Sequence, residues 1–217
     1  MPQRLDVGAA RAALERSRQV PEQTADRVSA ADGDQLAAAG LREFRLKLWR
    51  QRVPRMFWDA RADDFTGWPG HQDLVEWAAA DHPTNMVMLG PVGVGKTHAA
   101  TAAVRQHFGG GASLEWVPVG EMLDRLDWRR QDSHLYLEHL MTVDLLLVDD
   151  LGTERANEWT GERLYSIVNR RWLDQRPVVA TTNLEPADLA EVLGERTYSR
   201  LVGGALMLRI AGADRRM

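Results

Sequence analysis

The stretch "MLGPVGVGKTHAATAA", residues 88–103, limits the folds open to this chain more than any other. An apolar run, residues 85–90, enters it and suits a buried strand. An alanine-rich run, residues 97–108, leaves it with helical character and ends at Gly109, Gly110 and Gly111. Between them Gly90, Gly95, Lys96 and Thr97 satisfy G-x-x-x-x-G-K-[ST], whose backbone N–H groups wrap a phosphate at a helix N-terminus. The phosphate-binding stretch is then Gly90, Pro91, Val92, Gly93, Val94, Gly95, Lys96, Thr97 and His98. Lys96 is expected to reach the β- and γ-phosphates and Thr97 to ligate Mg²⁺. Only Lys47 and Lys96 are lysines among 27 cationic residues, so a compact point charge at 96 stands out against arginine. Lys47, in a plain helical run, shows that this bias alone marks no function.

A phosphate loop needs an acid at the end of a neighbouring strand. "VDLLLVDDLG", residues 143–152, supplies it: four apolar residues, Leu145 to Val148, lead into Asp149 and Asp150. Asp149 is the expected metal acid, and Asp150 is placed to orient or deprotonate an attacking water. A third run, "RPVVATTN", residues 176–183, ends at Asn183, a candidate contact for the γ-phosphate or that water. Runs at 114–120 and 205–210 complete five short strands. The helical pattern over 157–175 carries Trp159, Leu164, Ile167, Val168 and Trp172 near helical spacing. Strands alternating with helices predict a parallel sheet covered on both faces, with a ligand at the strand C-terminal ends.

Composition narrows the function. With 217 residues and 44% hydrophobic content, one well-buried α/β domain fits, with room for an appendage. The absence of cysteine removes disulfides, thiolate nucleophiles and cysteine-bound zinc, and a reducing compartment, the cytoplasm, is the expectation. No apolar run approaches 18 residues, so a membrane is not an expected partner. The net charge of −4 is uneven: residues 41–61 hold seven cations against two acids. That run is either a solvated helix face or a surface for nucleic acid or a partner.

Taken together, the motifs resemble the AAA+ ATPases of the DnaC/DnaI helicase-loader and IstB clade, over residues 53–217. "VPRMFWDARADDF" is similar to the clade's lead-in, "GPVGVGKTHAA" to its Walker A, "LLLVDDLG" to its Walker B, and "RLYSIVNRRWLDQRPVVATTNL" to its helix and sensor 1 strand. The resemblance implies a P-loop AAA+ fold that hydrolyses ATP with Mg²⁺. It makes Lys96 and Thr97 the Walker A pair, Asp149 the metal acid, Asp150 the catalytic acid and Asn183 sensor 1. "GERTYSRL", residues 194–201, resembles box VII, in which Arg200 is the arginine finger for a neighbouring subunit. "GADRRM" resembles the sensor 2 end, with Arg216 better aligned than Arg215. Without the resemblance, Arg200 reads as an ordinary surface ion-pairing residue. His98 reads as a packing or capping residue. Asp150 stands where many AAA+ enzymes have glutamate, and its shorter reach points to slow hydrolysis.

Residues 1–52 form the expected helical N-terminal region, with Leu41, Phe44 and Leu48 as an apolar stripe. In loaders this region grips a replicative ring helicase; the alternative is packing on the chain's own core or self-association. Single-stranded DNA is the other implied partner. Residues 127–140 hold Trp128, Arg129, Arg130, His134 and Tyr136 after the second strand, where bases would stack and phosphates pair. Tryptophans belong in cores as often, so Trp128 stays open between the two. The leading function is delivery of a ring helicase onto single-stranded DNA. An IstB-like transposition helper on duplex DNA and a small-molecule P-loop kinase are the alternatives.

Overall fold

The computed structural model describes residues 30–153, 158–212 and 214. Five strands follow one another through the chain: β1 (Met86–Leu89), β2 (Leu114–Pro118), β3 (Leu145–Asp149), β4 (Val178–Thr182) and β5 (Leu206–Arg209). All pair in parallel, in the order β2-β3-β4-β1-β5. The three central strands, β3, β4 and β1, are buried at every position, which is why they read as unbroken apolar runs.

Alternate side chains of these strands feed two cores. Met86, Met88, Leu145, Leu147, Val179 and Leu208 face one side, together with Ala99, Ala103 and Phe108 of α3 (Lys96–Gly110) and Leu74 and Trp77 of α2 (His71–Ala79). Val87, Leu89, Leu146, Val148, Val178 and Ala180 face the other side. There they meet α4 (Val119–Arg125), α5 (Ser133–Thr142), α6 (Glu158–Leu173), α7 (Pro186–Leu193) and α8 (Glu195–Val202). The expected fold, a five-stranded parallel sheet flanked by helices, is the observed one.

One long helix, α1 (Ala30–Arg52), precedes the sheet. The compact units divide at 42/43, inside this helix rather than at its end. The physical reason is Trp49, 2% exposed, which stacks against Phe108 at 5.5 Å between ring centres, with Val53 buried beside it in the same core. Of the expected stripe, Leu48 is half-buried against that core, whereas Leu41 and Phe44 are exposed. The helical expectation for residues 10–20 lies outside the described residues.

Arg171 on α6 locks the ends of the strands opposite the glycine loop. It is fully buried and donates to the carbonyls of Leu140 and Val143 at 2.8 Å, of Asp144 at 3.1 Å and of Pro177 at 2.7 Å. One guanidinium thus satisfies the chain where it leaves α5 and where it enters β3 and β4. Burial, and then the charge of Arg176, pulls its pKa down to about 9, so it stays cationic at neutral pH.

Candidate nucleotide site

Three glycines let the chain turn from β1 into α3. Gly90 has φ +148°, and a Cβ there would lie 2.1 Å from the Ile210 carbonyl oxygen, so no side chain fits. Gly93 and Gly95 take φ values of +83° and +100°, which L side chains rarely adopt. Gly95 is the N-cap of α3, whose free N–H groups and dipole favour an anion. Val94 is buried in the core and pins the loop, while Pro91 and Val92 are exposed on its outer side.

Lys96 is 5% exposed. Its ammonium donates to the carbonyls of Gly90 at 2.9 Å and Pro91 at 2.7 Å, and to Asn183 Oδ1 at 2.6 Å. The loop after β1 and the tip of β4 therefore meet at one cation. Thr97 Oγ1 donates to Asp149 Oδ1 at 2.7 Å, bringing the two expected metal-binding residues together. A second hydroxyl, Thr181 Oγ1, donates to the same oxygen at 2.6 Å, and it accepts from the Asp150 N–H at 3.0 Å. Sequence reasoning quoted Thr181 only as part of a strand end. Its role depends on the β3–β4 pairing, which a single sequence does not display.

Burial pushes the Asp149 carboxyl above its ordinary value of 3.8, opposed first by the Thr181 and then by the Thr97 hydrogen bond. Asp150 follows with φ +56°, a left-handed conformation that costs of order 1 kcal/mol outside glycine. That turn leaves Asp150 exposed, while Asp149 points inward. Two adjacent acids are thereby given different environments and are fit for different tasks.

His98 takes the packing role expected of it. Its Nε2 lies 2.8 Å from Asp64 Oδ2, and its ring meets Phe65 and Phe57 edge-on, at 5.4 and 6.1 Å. The His98 hydrogen bond is the main cause that lowers the Asp64 pKa. Asp214 lies against the loop: its carboxyl group comes within 2.2 Å of where a Cβ on Gly93 would stand. The sensor 2 candidates Arg215 and Arg216 lie outside the described residues.

Arg200 is not at this site. Its carbonyl, with that of Leu201, accepts from Asn85 Nδ2, at 3.2 and 2.9 Å, where the chain enters β1. The glycine loop leaves β1 at its other end, five residues or about 16 Å away at strand rise. The Arg200 guanidinium lies over the rings of Tyr165 at 5.2 Å and Trp172 at 5.5 Å and donates to the Arg196 carbonyl at 3.3 Å. Its Nε is buried without a hydrogen-bond partner among the described residues. A cavity of about 840 Å³ is lined by Asn85, Trp172, Arg176 and Gly203, so it shares this end of the sheet and not the glycine loop.

The residues read for DNA separate. Trp128 is 75% exposed in the turn between α4 and α5. Arg129 is clamped onto Asp127, with its Nε 2.9 and 3.0 Å from the two carboxylate oxygens, and that bond holds the Asp127 carboxyl at about 2. Arg130 is exposed. Tyr136 belongs to the core instead: it is 6% exposed, donates to Glu115 Oε1 at 3.1 Å and lies under Arg125 at 3.5 Å. It is therefore not available as a stacking platform, because α5 turns that face onto the sheet.

Known proteins are similar to this chain in sequence and in fold. Residues 70–212 match the family model described as IstB-like ATP binding protein. The ATP-binding protein of insertion sequence IS21 from Pseudomonas aeruginosa is 27% identical over 166 residues, covering 71% of this chain and 62% of that protein. The replicative helicase loader DnaC of Escherichia coli K12 is 26% identical over 121 residues, covering 54% of this chain and 49% of DnaC. Among solved structures, DnaI superposes with a TM-score of 0.66 at 23% identity, over 76% of this chain and 94% of that one. The chain spans about half to two-thirds of the length of the curated relatives it matches.

Proposed function

Because the chain belongs to the IstB-like ATP-binding family, we propose that it is a self-associating AAA+ ATPase that loads a replicative ring helicase onto single-stranded DNA in the bacterial cytoplasm. One observation carries the ATPase reading. Lys96, Thr97, Asp149 and Asn183 converge at one end of the sheet while Arg200 stands at the other, so a complete site takes an arginine from a second copy.

Each residue then has a task. The N-terminal amides of α3 and the Lys96 ammonium bind the β- and γ-phosphates, and Lys96 exchanges its carbonyl contacts for phosphate oxygens. Asn183, already on Lys96, orients the γ-phosphate or the attacking water. Exposed Asp150 positions that water and takes its proton. The neighbour's Arg200 meets the charge that grows on the γ-phosphate oxygens. The Thr97 hydroxyl and the Asp149 carboxylate, 2.7 Å apart, fit the hard-oxygen preference of Mg²⁺ and would hold it. When bound, Mg²⁺ supplies charge neutralisation at the phosphates.

Exposed Trp128 at the α4–α5 turn supports base stacking, with Arg130 for a phosphate and Arg129 once released from Asp127. The N-terminal region, residues 1–52, is the proposed grip on the helicase. A second reading, a transposition helper acting on duplex DNA, is favoured by one observation: the IS21 protein matches 71% of the chain, against 54% for DnaC. ATPase assays with single-stranded and duplex DNA, together with capture of a purified ring helicase, decide between them. Stimulation by single strands and helicase capture support loading. Stimulation by duplex alone, with no capture, supports the helper. Asp150→Asn should bind ATP normally and lose turnover; unchanged turnover would remove Asp150 from the mechanism.

A further inference from the structure

The arginines of residues 41–61 do not behave alike. Arg45 donates to the Gly109 carbonyl, Arg52 to the Leu114 carbonyl at 2.6 Å, and Lys47 pairs with Glu43 at 3.3 Å. Arg50 and Arg55 do something else: their guanidinium carbons lie 5.2 and 5.9 Å from the ring centre of one tryptophan, Trp58. Both are exposed, and neither has a carboxylate within ion-pair distance among the described residues.

Trp58 is a fixed platform. Its indole N–H donates to the Val53 carbonyl at 2.9 Å, and its own carbonyl accepts from the Trp49 indole at 3.1 Å. Trp49 is a core residue, so the platform is tied directly to the hydrophobic interior. Stacking leaves the edge N–H groups of a guanidinium open, so two forks are presented to solvent from one ring. Positive charge continues past them. Arg105 lies over Trp49 at 5.8 Å and donates to the Ala60 carbonyl at 3.0 Å. Its pKa is lowered by burial first and then by Arg61, with Arg50 adding to the effect, against the opposing pull of Asp59 and Asp64. Like charges gathered in this way repel one another, and an anion relieves them. Met56, 75% exposed beside Arg55, adds an apolar contact of the kind a base or sugar face can cover.

We propose that Arg50 and Arg55, held on Trp58, form a second nucleic-acid contact that grips the phosphodiester backbone. This inference rests on the reading of the chain as a DNA-handling ATPase, but not on the choice between loading and transposition. It places the contact at the C-terminal end of α1 and the turn that follows it, apart from the Trp128 turn.

The test is titration of labelled single-stranded and duplex oligonucleotides of equal length with the full chain, over several salt concentrations. The wild type is compared with Arg50→Ala/Arg55→Ala and Arg50→Lys/Arg55→Lys. For the alanine pair, affinity should fall at least about tenfold regardless of base sequence. The salt slope should shrink by about 1.4 on single strands or about 1.8 on duplex, whichever polymer is gripped. The lysine pair should keep most of the slope, because the charge remains. ATPase activity without DNA should not change. A wild type that binds DNA and an alanine pair with the same affinity and slope would overturn the second contact alone. A wild type that binds neither polymer would overturn it together with the DNA-handling reading.

Discussion

The Lys96 ammonium reaches 2.6 Å from Asn183 Oδ1, so the residue proposed to bind phosphate and the residue proposed to sense it are already in contact across β1 and β4. Replacing Asn183 with Ala removes that oxygen and leaves the carbonyls of Gly90 and Pro91 to hold the lysine. ATP affinity should change little, while turnover should fall by on the order of a hundredfold, the usual loss when one polar group aimed at developing charge is deleted. Nucleotide binding and steady-state hydrolysis measured on the same preparation check both halves.

Asp149→Asn tests the buried acid. Because burial raises the Asp149 pKa, the folded chain holds this proton more tightly than the unfolded chain does. The stability from protonation is present below 3.8 and is lost as pH rises through the raised folded value. At neutral pH the asparagine variant, free of ligand, should melt at or above the wild type, and the gap should narrow as pH falls toward the carboxylate range. With ATP and Mg²⁺ only the wild type should gain stability. Thermal melts across pH, with and without ligand, read out each expectation.

Arg171→Met should cost at least about 3 kcal/mol, because four carbonyls, two in buried and two in half-buried bonds, lose a charged donor at once. Arg171→Lys should recover only part, since an ammonium cannot span the same fork. Chemical denaturation of the three proteins gives the comparison.

Gly90→Ala should not yield a working site. The added methyl would meet the backbone oxygen of Ile210 at 2.1 Å, and neither strand β1 nor the β5 end can withdraw without breaking the Ile210 N–H bond to the Leu89 carbonyl, 2.7 Å long. Loss of ATP binding is the expected result, read by titration calorimetry.

Much of the sheet was legible because its strands are buried on both sides. Such strands need no alternation, so "MVML", "LLLVD" and "VVATT" announce themselves as apolar runs that end in glycine, acid or small polar residues. The pairing of Thr97 with Asp149 follows from the motifs, since one opens the helix after the glycine loop and the other ends β3. Short helices were less visible: α2 has nine residues and no side-chain cap, and its apolar positions are too few to show a period. Trp49 was passed over and Tyr136 misread for one shared reason. Which face of a helix turns inward is decided by partners distant in the chain, Phe108 for one and Glu115 for the other. Thr181 and Arg171 act across strand ends, through distances that exist only once the chain has folded.

On the proposed reading, the separation of Arg200 from Lys96 makes hydrolysis a property of pairs of chains. The most direct measurement is ATPase rate per subunit against protein concentration, for the wild type, for Arg200→Ala and for an equal mixture of Arg200→Ala with Lys96→Ala. If Arg200 acts on a neighbour, the wild-type rate rises with concentration and each variant alone is inactive. Arg200→Ala nevertheless still binds ATP, and the mixture regains activity where an intact Lys96 site faces an intact Arg200. A wild-type rate per subunit that stays flat, with Arg200→Ala as active as the wild type, would contradict a site shared between two copies.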